Sequence, residues 1–304
     1  MSVTRADPLA LGLVLGGALL LAAKGIFAKW LYADGVTLEA LLVMRALLSL
    51  PFVWGWALVR GELPRVLAAP RPLIAIAAAG GISGYYVGPW FDFRALQLID
   101  ASLERVLLFT YPAIVVCLRA AQARAWPGRR EVAAALTAYA GVALAVGGFD
   151  TTLWQANGTG AAFVLISAAT FALYLLANEH IGRRLGSVGF LVVASTAAAL
   201  ALTLHFAVTS ELSALTALSP RAWCLLVVMT AFTNVLPLFM LSAGIARIGA
   251  ARAAIVSSIG PPATLAMAWF FLGERLGPVQ VAGAAAIVCG ILILELGRKS
   301  PRGG

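Results

Sequence analysis

The residues able to do chemistry in this 304-residue chain are few, and most of them lie inside long apolar stretches. Lys24, Arg45, Glu104 and Arg105 each place a charge there, at a cost of roughly 2.5–3.5 kcal/mol on insertion scales, so they should face protein or water rather than lipid. Glu104 and Arg105 read either as a paired or interfacial structural feature or as a partner for a proton or a substrate amine. Lys24 could meet a substrate carboxylate, or snorkel its amine to the membrane surface. Glu274 sits in a tight Gly-flanked turn and reads as structural. Cys117, Cys224 and Cys289 lie in apolar stretches without CxxC spacing or a nearby His, so neither a disulfide framework nor a metal site is implied, and no cofactor.

Uncharged candidates fall at helix breaks and on aromatic faces. Pro112 and Pro261 remove backbone donors near the middle of their segments and should act as hinges that expose carbonyls. Tyr111, Ser257 and Ser258 next to them become candidate lining residues. In Gly80-Gly81-Ile82-Ser83-Gly84-Tyr85-Tyr86-Val87-Gly88-Pro89-Trp90, the glycines at 80, 84 and 88 make a smooth ridge for close helix approach. Ile82, Tyr86 and Trp90 occupy another face, where aromatic surface could accept an apolar ligand; Trp90 fits an interfacial aromatic belt equally well. Tyr85, Phe171 and Tyr174 extend the aromatic set. Thr230 and Asn234, four residues apart, offer side-chain hydrogen bonds that suit an amino-acid backbone or a neighbouring helix.

The elements that must position these residues follow from composition. The chain is 62% hydrophobic and only 12% charged, with a mean hydropathy of +0.94, far from the soluble average of about 45–50% apolar and about 25% charged. The apolar excess needs a lipid solvent. Cutting at charge and Pro/Gly punctuation leaves ten segments near the roughly 20 residues a span requires: 9–31, 37–59, 72–91, 99–119, 130–149, 158–179, 187–209, 221–243, 249–271 and 276–296. Among the connections is Asn157-Gly158. Continuous Ala/Leu-rich runs exclude outer-membrane strands, which alternate. Arg5 followed by Leu9–Ala23 has a signal-peptide form as well, but an apolar run reaching Trp30 is long enough to span.

Alternate-side assignment puts 15 of the 22 basic residues on one face, including Arg60, Arg65, Arg71, Arg124, Arg129, Arg183, Arg184, Arg247 and Arg298. The positive-inside rule then expects both termini in the cytoplasm of a multi-pass cell (inner) membrane protein. Dispersed clusters without stacking aromatics exclude a nucleic-acid partner; the partners expected are lipid and a small-molecule substrate.

Shifting the chain by half its length aligns Ala101, Pro112, Gly128, Val132, Ala133, Ala135 and Gly141 with Ala250, Pro261, Gly277, Val281, Ala282, Ala284 and Gly290, without a gap. The same shift brings Asn234 opposite Tyr85. Residues 1–150 and 151–304 then each hold five spans, and because five is odd the second repeat enters the membrane inverted. The expected fold is an all-α membrane protein of ten transmembrane helices in two inverted five-helix repeats, an arrangement characteristic of secondary transporters working by alternating access.

Pro261-Pro262-Ala263-Thr264-Leu265, Phe271-Leu272-Gly273-Glu274-Arg275-Leu276, Gln280-Val281-Ala282-Gly283 and Gly290, with Asp100-Ala101-Ser102 and Tyr111-Pro112 earlier, resemble the EamA-like family of the drug/metabolite transporter superfamily. Ala125 stands where the first repeat would match Glu274, a departure from the pattern. The resemblance implies a ten-helix exporter of small metabolites, similar in character to bacterial aromatic amino acid exporters. The expectation is a monomeric carrier for amino acids, aromatic and other neutral ones, with a multidrug carrier as the alternative. A remote enzymatic alternative uses Ser83: Gly81-Ile82-Ser83-Gly84 matches the GxSG of intramembrane serine proteases, whose serine needs a base from His180 or His205.

Overall fold

The structure, a computed structural model, describes residues 8–124, 128–146, 148, 150–248, 256 and 259–297. Among these residues all regular elements are helical. Apart from the short connecting helices Leu63–Leu67 and Ser213–Thr216, they group into runs at 8–33, 38–59, 71–95, 101–123, 129–146, 151–185, 187–209, 220–248, 260–272 and 278–297, the ten spans in chain order. Pro8–Ala33, Leu38–Val59, Thr151–Gly182, Val188–Thr209 and Pro220–Leu241 are each long and apolar enough to cross a membrane as they stand. Leu200, Leu204 and Val208 on the seventh span and Trp269 and Phe270 on the ninth are exposed, Val208 at 79% and Phe270 at 73%. Unpaired apolar faces of this kind match a lipid solvent rather than water.

One boundary differs from the sequence reading. Asn157-Gly158 does not break the chain; the sixth span runs as one helix, Thr151–Leu185. Its start is set by Asp150, whose Oδ1 accepts from the Thr152 hydroxyl at 2.6 Å and the Thr152 N–H at 2.8 Å. These bonds hold the Asp150 carboxyl below the usual carboxylate range. A side-chain cap that satisfies free N–H groups of the first turn favours starting the helix here, ahead of Gly158, which the helix then carries in its interior.

Four spans are interrupted midway. The first divides into Pro8–Ala22 and Lys24–Ala33, and the Ala22 carbonyl accepts from the buried Thr264 hydroxyl at 3.0 Å. The fourth divides into Ala101–Leu108 and Tyr111–Ala123, so Pro112 is the second residue of a new helix. Pro261 holds the same position in Gly260–Leu272. In a first helical turn the missing proline N–H has no partner to lose, so these prolines start helices rather than kink them. The third span carries a π-helical turn at Ile82–Val87 and the eighth one at Ala231–Val235. The half-chain shift that pairs Ala101 with Ala250 also carries the start of the first π turn onto the start of the second.

The chain forms two compact units that do not follow the sequence halves. Unit 1 comprises Met1–Ile26, Asp100–Ala156 and Phe232–Gly304; unit 2 comprises Phe27–Ile99 and Asn157–Ala231. Each takes helices from both repeats.

In unit 1 the fifth and tenth spans are repeat equivalents and pack directly on each other. A methyl at Gly141 would lie 2.7 Å from the Gly283 carbonyl, and one at Gly290 would lie 2.7 Å from the Ala134 carbonyl. Gly141 corresponds to Gly290 and Ala134 to Gly283, so the two contacts exchange when the repeats exchange. Higher numbers on one helix meet lower numbers on the other. The equivalent helices are therefore antiparallel, which is what inversion of the second repeat requires. Small residues at the crossing allow this backbone approach.

In unit 2 the seventh span packs on the second and third, and the sixth packs on the glycine ridge. Methyls at Gly80, Gly84 and Gly88 would come 2.9, 2.5 and 2.7 Å from Ala177, Tyr174 and Thr170. The ridge reading therefore holds, with the sixth span as its partner.

Candidate functional site

Chemistry-bearing side chains gather in one cluster per unit. The cluster in unit 2 is aromatic and is built around the π turn at Ile82–Val87. A π turn adds a residue to one helical turn and re-aims the side chains that follow, which is why such turns recur at functional sites. Tyr85 and Tyr174 share a hydrogen bond of 2.8 Å between hydroxyls, with ring centroids 4.9 Å apart in an edge-on arrangement. Phe171 stacks on Tyr174 at 5.8 Å, and Phe190 tilts against the same ring at 5.6 Å. Tyr86 bonds His205 Nδ1 through its hydroxyl at 2.7 Å. Ile82, Tyr85, Tyr86 and Phe171 remain partly exposed while Tyr174 is buried.

The geometry also answers the Ser83 alternative. Ser83 Oγ donates to the Thr170 carbonyl at 3.3 Å, and His205 is engaged with Tyr86. Among the described residues there is thus no serine–histidine bond, because the ridge brings Ser83 against the backbone of the sixth span.

Unit 2 also holds a charge over a different ring. Arg45 has its guanidinium carbon 4.8 Å above the centroid of Phe93, which is fully buried. Tyr32, on the helix after the first break, donates its hydroxyl to the Phe93 carbonyl at 2.8 Å. Asp92, the residue before Phe93 on the same helix, is only 4% exposed.

The cluster in unit 1 is ionic. Lys24 Nζ lies 3.1 Å from Glu104 Oε1, with the two side chains 12% and 1% exposed. Lys24 therefore turns inward instead of snorkelling, because the interruption at Ala23 begins a new helix beside the fourth span. Arg105 does not pair with its neighbour Glu104 in this geometry: its guanidinium lies 5.7 Å from the Phe109 ring centroid and its Nη2 would be 3.2 Å from a methyl at Gly260. Tyr111 meets Phe109 edge-on at 6.0 Å.

Glu274 supports this cluster from the loop between the ninth and tenth spans. Its carboxylate accepts from the N–H of Ala101 at 2.9 Å, the N–H of Ser102 at 3.0 Å and the Ser102 hydroxyl at 2.6 Å. Asp100 occupies the N-cap of that helix but makes no side-chain cap bond, so a residue 173 positions away in sequence caps the segment that carries Glu104. The favourable field of a helix N-terminus strengthens such a carboxylate contact. The structural role read for Glu274 takes this specific form.

The remaining candidates divide between the units. Thr230, buried, lies in unit 2 and its hydroxyl has no hydrogen-bond partner among the described residues. Asn234, partly exposed, lies in unit 1 within the second π turn. An i→i+5 turn thus replaces the regular helix on which their shared face was argued. Ser257 and Ser258, together with Ala125, lie outside the described residues.

Sequence reasoning passed over Asp92 and Thr264, and considered His205 only as a protease base. Asp92 carried a usable signal, a carboxylate directly after Trp90-Phe91 near a span end; nothing in the sequence marks the Tyr86–His205 pairing across 119 positions.

Comparison with known proteins agrees with this architecture. Residues 8–147 and 158–296 each match the model of the EamA-like transporter family. A Bacillus subtilis (strain 168) protein described as the uncharacterized transporter YcbK is 33% identical over 278 residues, which is 90% of this chain and 88% of that protein. A solved crystal structure matches with a TM-score of 0.65 at 17% identity, covering 94% of this chain and 97% of the other; at that identity the likeness concerns the fold alone.

Proposed function

The chain belongs to the EamA-like transporter family, and from that premise we propose that this membrane transporter is a secondary carrier exporting small amphipathic metabolites, chiefly aromatic and other neutral amino acids. The observation that carries the substrate reading is the ring cluster of unit 2. Tyr85, Tyr174 and Phe171 offer edge and face contacts, and Ile82 and Tyr86 present partly exposed surface around a π turn. Aromatic walls with a few fixed polar groups are the usual make-up of a small-ligand site.

The carrier works by alternating access in the cell membrane, as a monomer, with both termini in the cytoplasm. Tyr111, Thr230, Asn234, Ser257 and Ser258 are further substrate-binding positions, and Pro112 and Pro261, each starting a helix after a break, are the hinges. Lys24, Glu104 and Arg105 are the coupling group. Lys24, at the interruption of the first span, and Glu104, in the first turn of Ala101–Leu108, form a buried ion pair, and a buried pair can exchange its partner for a proton or a substrate charge.

Purified protein in proteoliposomes tests the reading. Saturable uptake of labelled phenylalanine, accelerated by unlabelled amino acid on the opposite side, is expected; non-saturating ion conductance without counter-exchange would overturn it. Glu104→Gln should remove any dependence of transport on a pH gradient, measured as uptake with and without an imposed gradient.

A further inference from the structure

The chain passes from one unit to the other four times: between Ile26 and Phe27, Ile99 and Asp100, Ala156 and Asn157, and Ala231 and Phe232. Three of these passages meet a visible weakness of the backbone. The first follows the interruption at Ala23, the second lies in the connection that leads to Ala101, and the fourth falls at the start of the π turn Ala231–Val235. The third lies inside the unbroken helix Thr151–Leu185. On its N-terminal side that helix is tied to unit 1, where the Trp154 indole N–H donates to the Gly148 carbonyl at 3.0 Å. On its C-terminal side it is pressed into unit 2, where a methyl at Gly160 would stand 2.5 Å from the Ile99 side chain. Asn157 and Gly158 lie between the two anchors.

Packing does not explain this glycine. A methyl at Gly158 would meet nothing within 4 Å among the described residues, whereas methyls at Gly80, Gly84, Gly141 and Gly283 would stand 2.4 to 2.9 Å from a neighbour. Backbone geometry does not explain it either, since Gly158 is not among the glycines of positive φ, and as the eighth of 35 residues it is remote from a cap. Glycine in a helix interior loosens the helix relative to alanine, and asparagine is also a weak helix former. We propose that Asn157-Gly158 is a hinge of the transport cycle, the point at which the sixth span bends between the part held by unit 1 and the part held by unit 2. Motions of whole helical bodies are absorbed by a few residues free to change their backbone angles, and at this passage the dipeptide supplies the freedom that an interruption supplies in the first and eighth spans. Pro112 and Pro261 both lie inside unit 1 and serve bending within that unit. The inference rests on the alternating-access carrier reading given above and adds to it the place where one long helix takes up the motion.

Gly55 supplies the control. It too is a partly exposed glycine within a helix, with open space where a methyl would stand, but it lies away from every passage between the units. Gly158→Ala and Gly55→Ala should each raise the unfolding temperature in detergent by about 1–2 °C. Only Gly158→Ala should slow phenylalanine counter-exchange in proteoliposomes, by about fivefold, the factor by which glycine loosens a helical site relative to alanine. Gly158→Ala/Thr159→Gly, which returns a glycine to the next, exposed position, should recover most of the rate. Exchange by Gly158→Ala at the wild-type rate, equal slowing by Gly55→Ala, or no recovery in the double variant overturns the hinge and leaves the carrier reading intact. Wild-type protein that exchanges no phenylalanine defeats the carrier reading instead, and hydrogen exchange then decides the hinge whatever the protein carries. The amides of 159–162 lie at least eight residues inside their helix, whereas those of 56–59 lie in the last turn of theirs. Local opening at a hinge makes the deeper set exchange at least as fast as the terminal set; slower exchange at 159–162 overturns the proposal.

Discussion

The two compact units solve the problem of packing helices with different materials. Unit 1 brings the fifth and tenth spans together through glycine and alanine, close enough that methyls at Gly141 and Gly290 would meet backbone carbonyls at 2.7 Å. Its polar contacts include a buried ion pair, Lys24 with Glu104, and a carboxylate cap, Glu274. Unit 2 also uses a glycine ridge, but the ridge receives Tyr174, and around that ring stand Tyr85, Phe171 and Phe190. Small-residue crossings hold helices by close van der Waals contact and are intolerant of added atoms. Ring clusters leave polar edges and partly accessible faces that a ligand can use. The difference sets a buried ion pair in one unit against a partly accessible ring cluster in the other.

The largest test of that division is Lys24→Met. It takes the lysine charge away from the buried Glu104 carboxylate, and should destabilise the protein by about 3–5 kcal/mol, read as a lower unfolding temperature in detergent. The double variant Lys24→Met/Glu104→Gln should recover most of that loss, since no bare charge remains; a double variant as unstable as the single one would show that the pair does more than neutralise itself.

Gly283→Ala should come next, at about 2–3 kcal/mol. Its methyl would meet the Gly141 carbonyl at 2.6 Å, with backbone on the opposing helix that cannot turn aside. The repeat relation makes a further demand: Ala134→Gly, at the equivalent position of the other half, should be tolerated at a cost of about 1 kcal/mol. Equal losses at the two sites, by the same melting measurement, would show that the reciprocal contacts are not equivalent in tightness.

Glu274→Ala removes three hydrogen bonds from the start of the helix carrying Glu104 and should cost about 1–2 kcal/mol. Hydrogen exchange should show faster opening at Ala101 and Ser102 than at the ring cluster of unit 2. Exchange accelerating equally in both units would erase the distinction between them.

The smallest effect on stability belongs to Tyr85→Phe, about 1 kcal/mol for the lost bond to Tyr174, yet it should alter the ranking of amino acids in exchange assays while leaving any pH-gradient dependence in place. A change of gradient dependence without a change of ranking would reverse the assignment of roles.

Much of the fold is legible in residue order because lipid imposes a simple code. Ten apolar runs appear at about the expected positions, and the half-chain shift that aligns Pro112 with Pro261 also aligns the two π turns. What sequence reasoning misplaced depends on local competition. Asn157-Gly158 looks like a connection, but the Asp150 cap starts the helix before it. Thr230 and Asn234 look like one face until a π turn intervenes. At the site, the residue types were readable while their partners were not: Glu104 and Arg105 are adjacent in sequence, yet Glu104 bonds Lys24, 80 positions away.

By itself the sequence determined that this chain is a helical membrane protein, where its spans lie, and that its halves repeat with odd span number and therefore inversion. These properties follow from composition, periodicity and parity, none of which needs long-range contact. Only the tertiary structure decided that the compact units cut across the repeats, that Glu274 caps a helix from the other half of the chain, and that Tyr85 meets Tyr174. Such choices depend on which small residues let two backbones approach and on where a broken helix re-aims its side chains, and shape complementarity of that kind is expressed only when the surfaces are brought together.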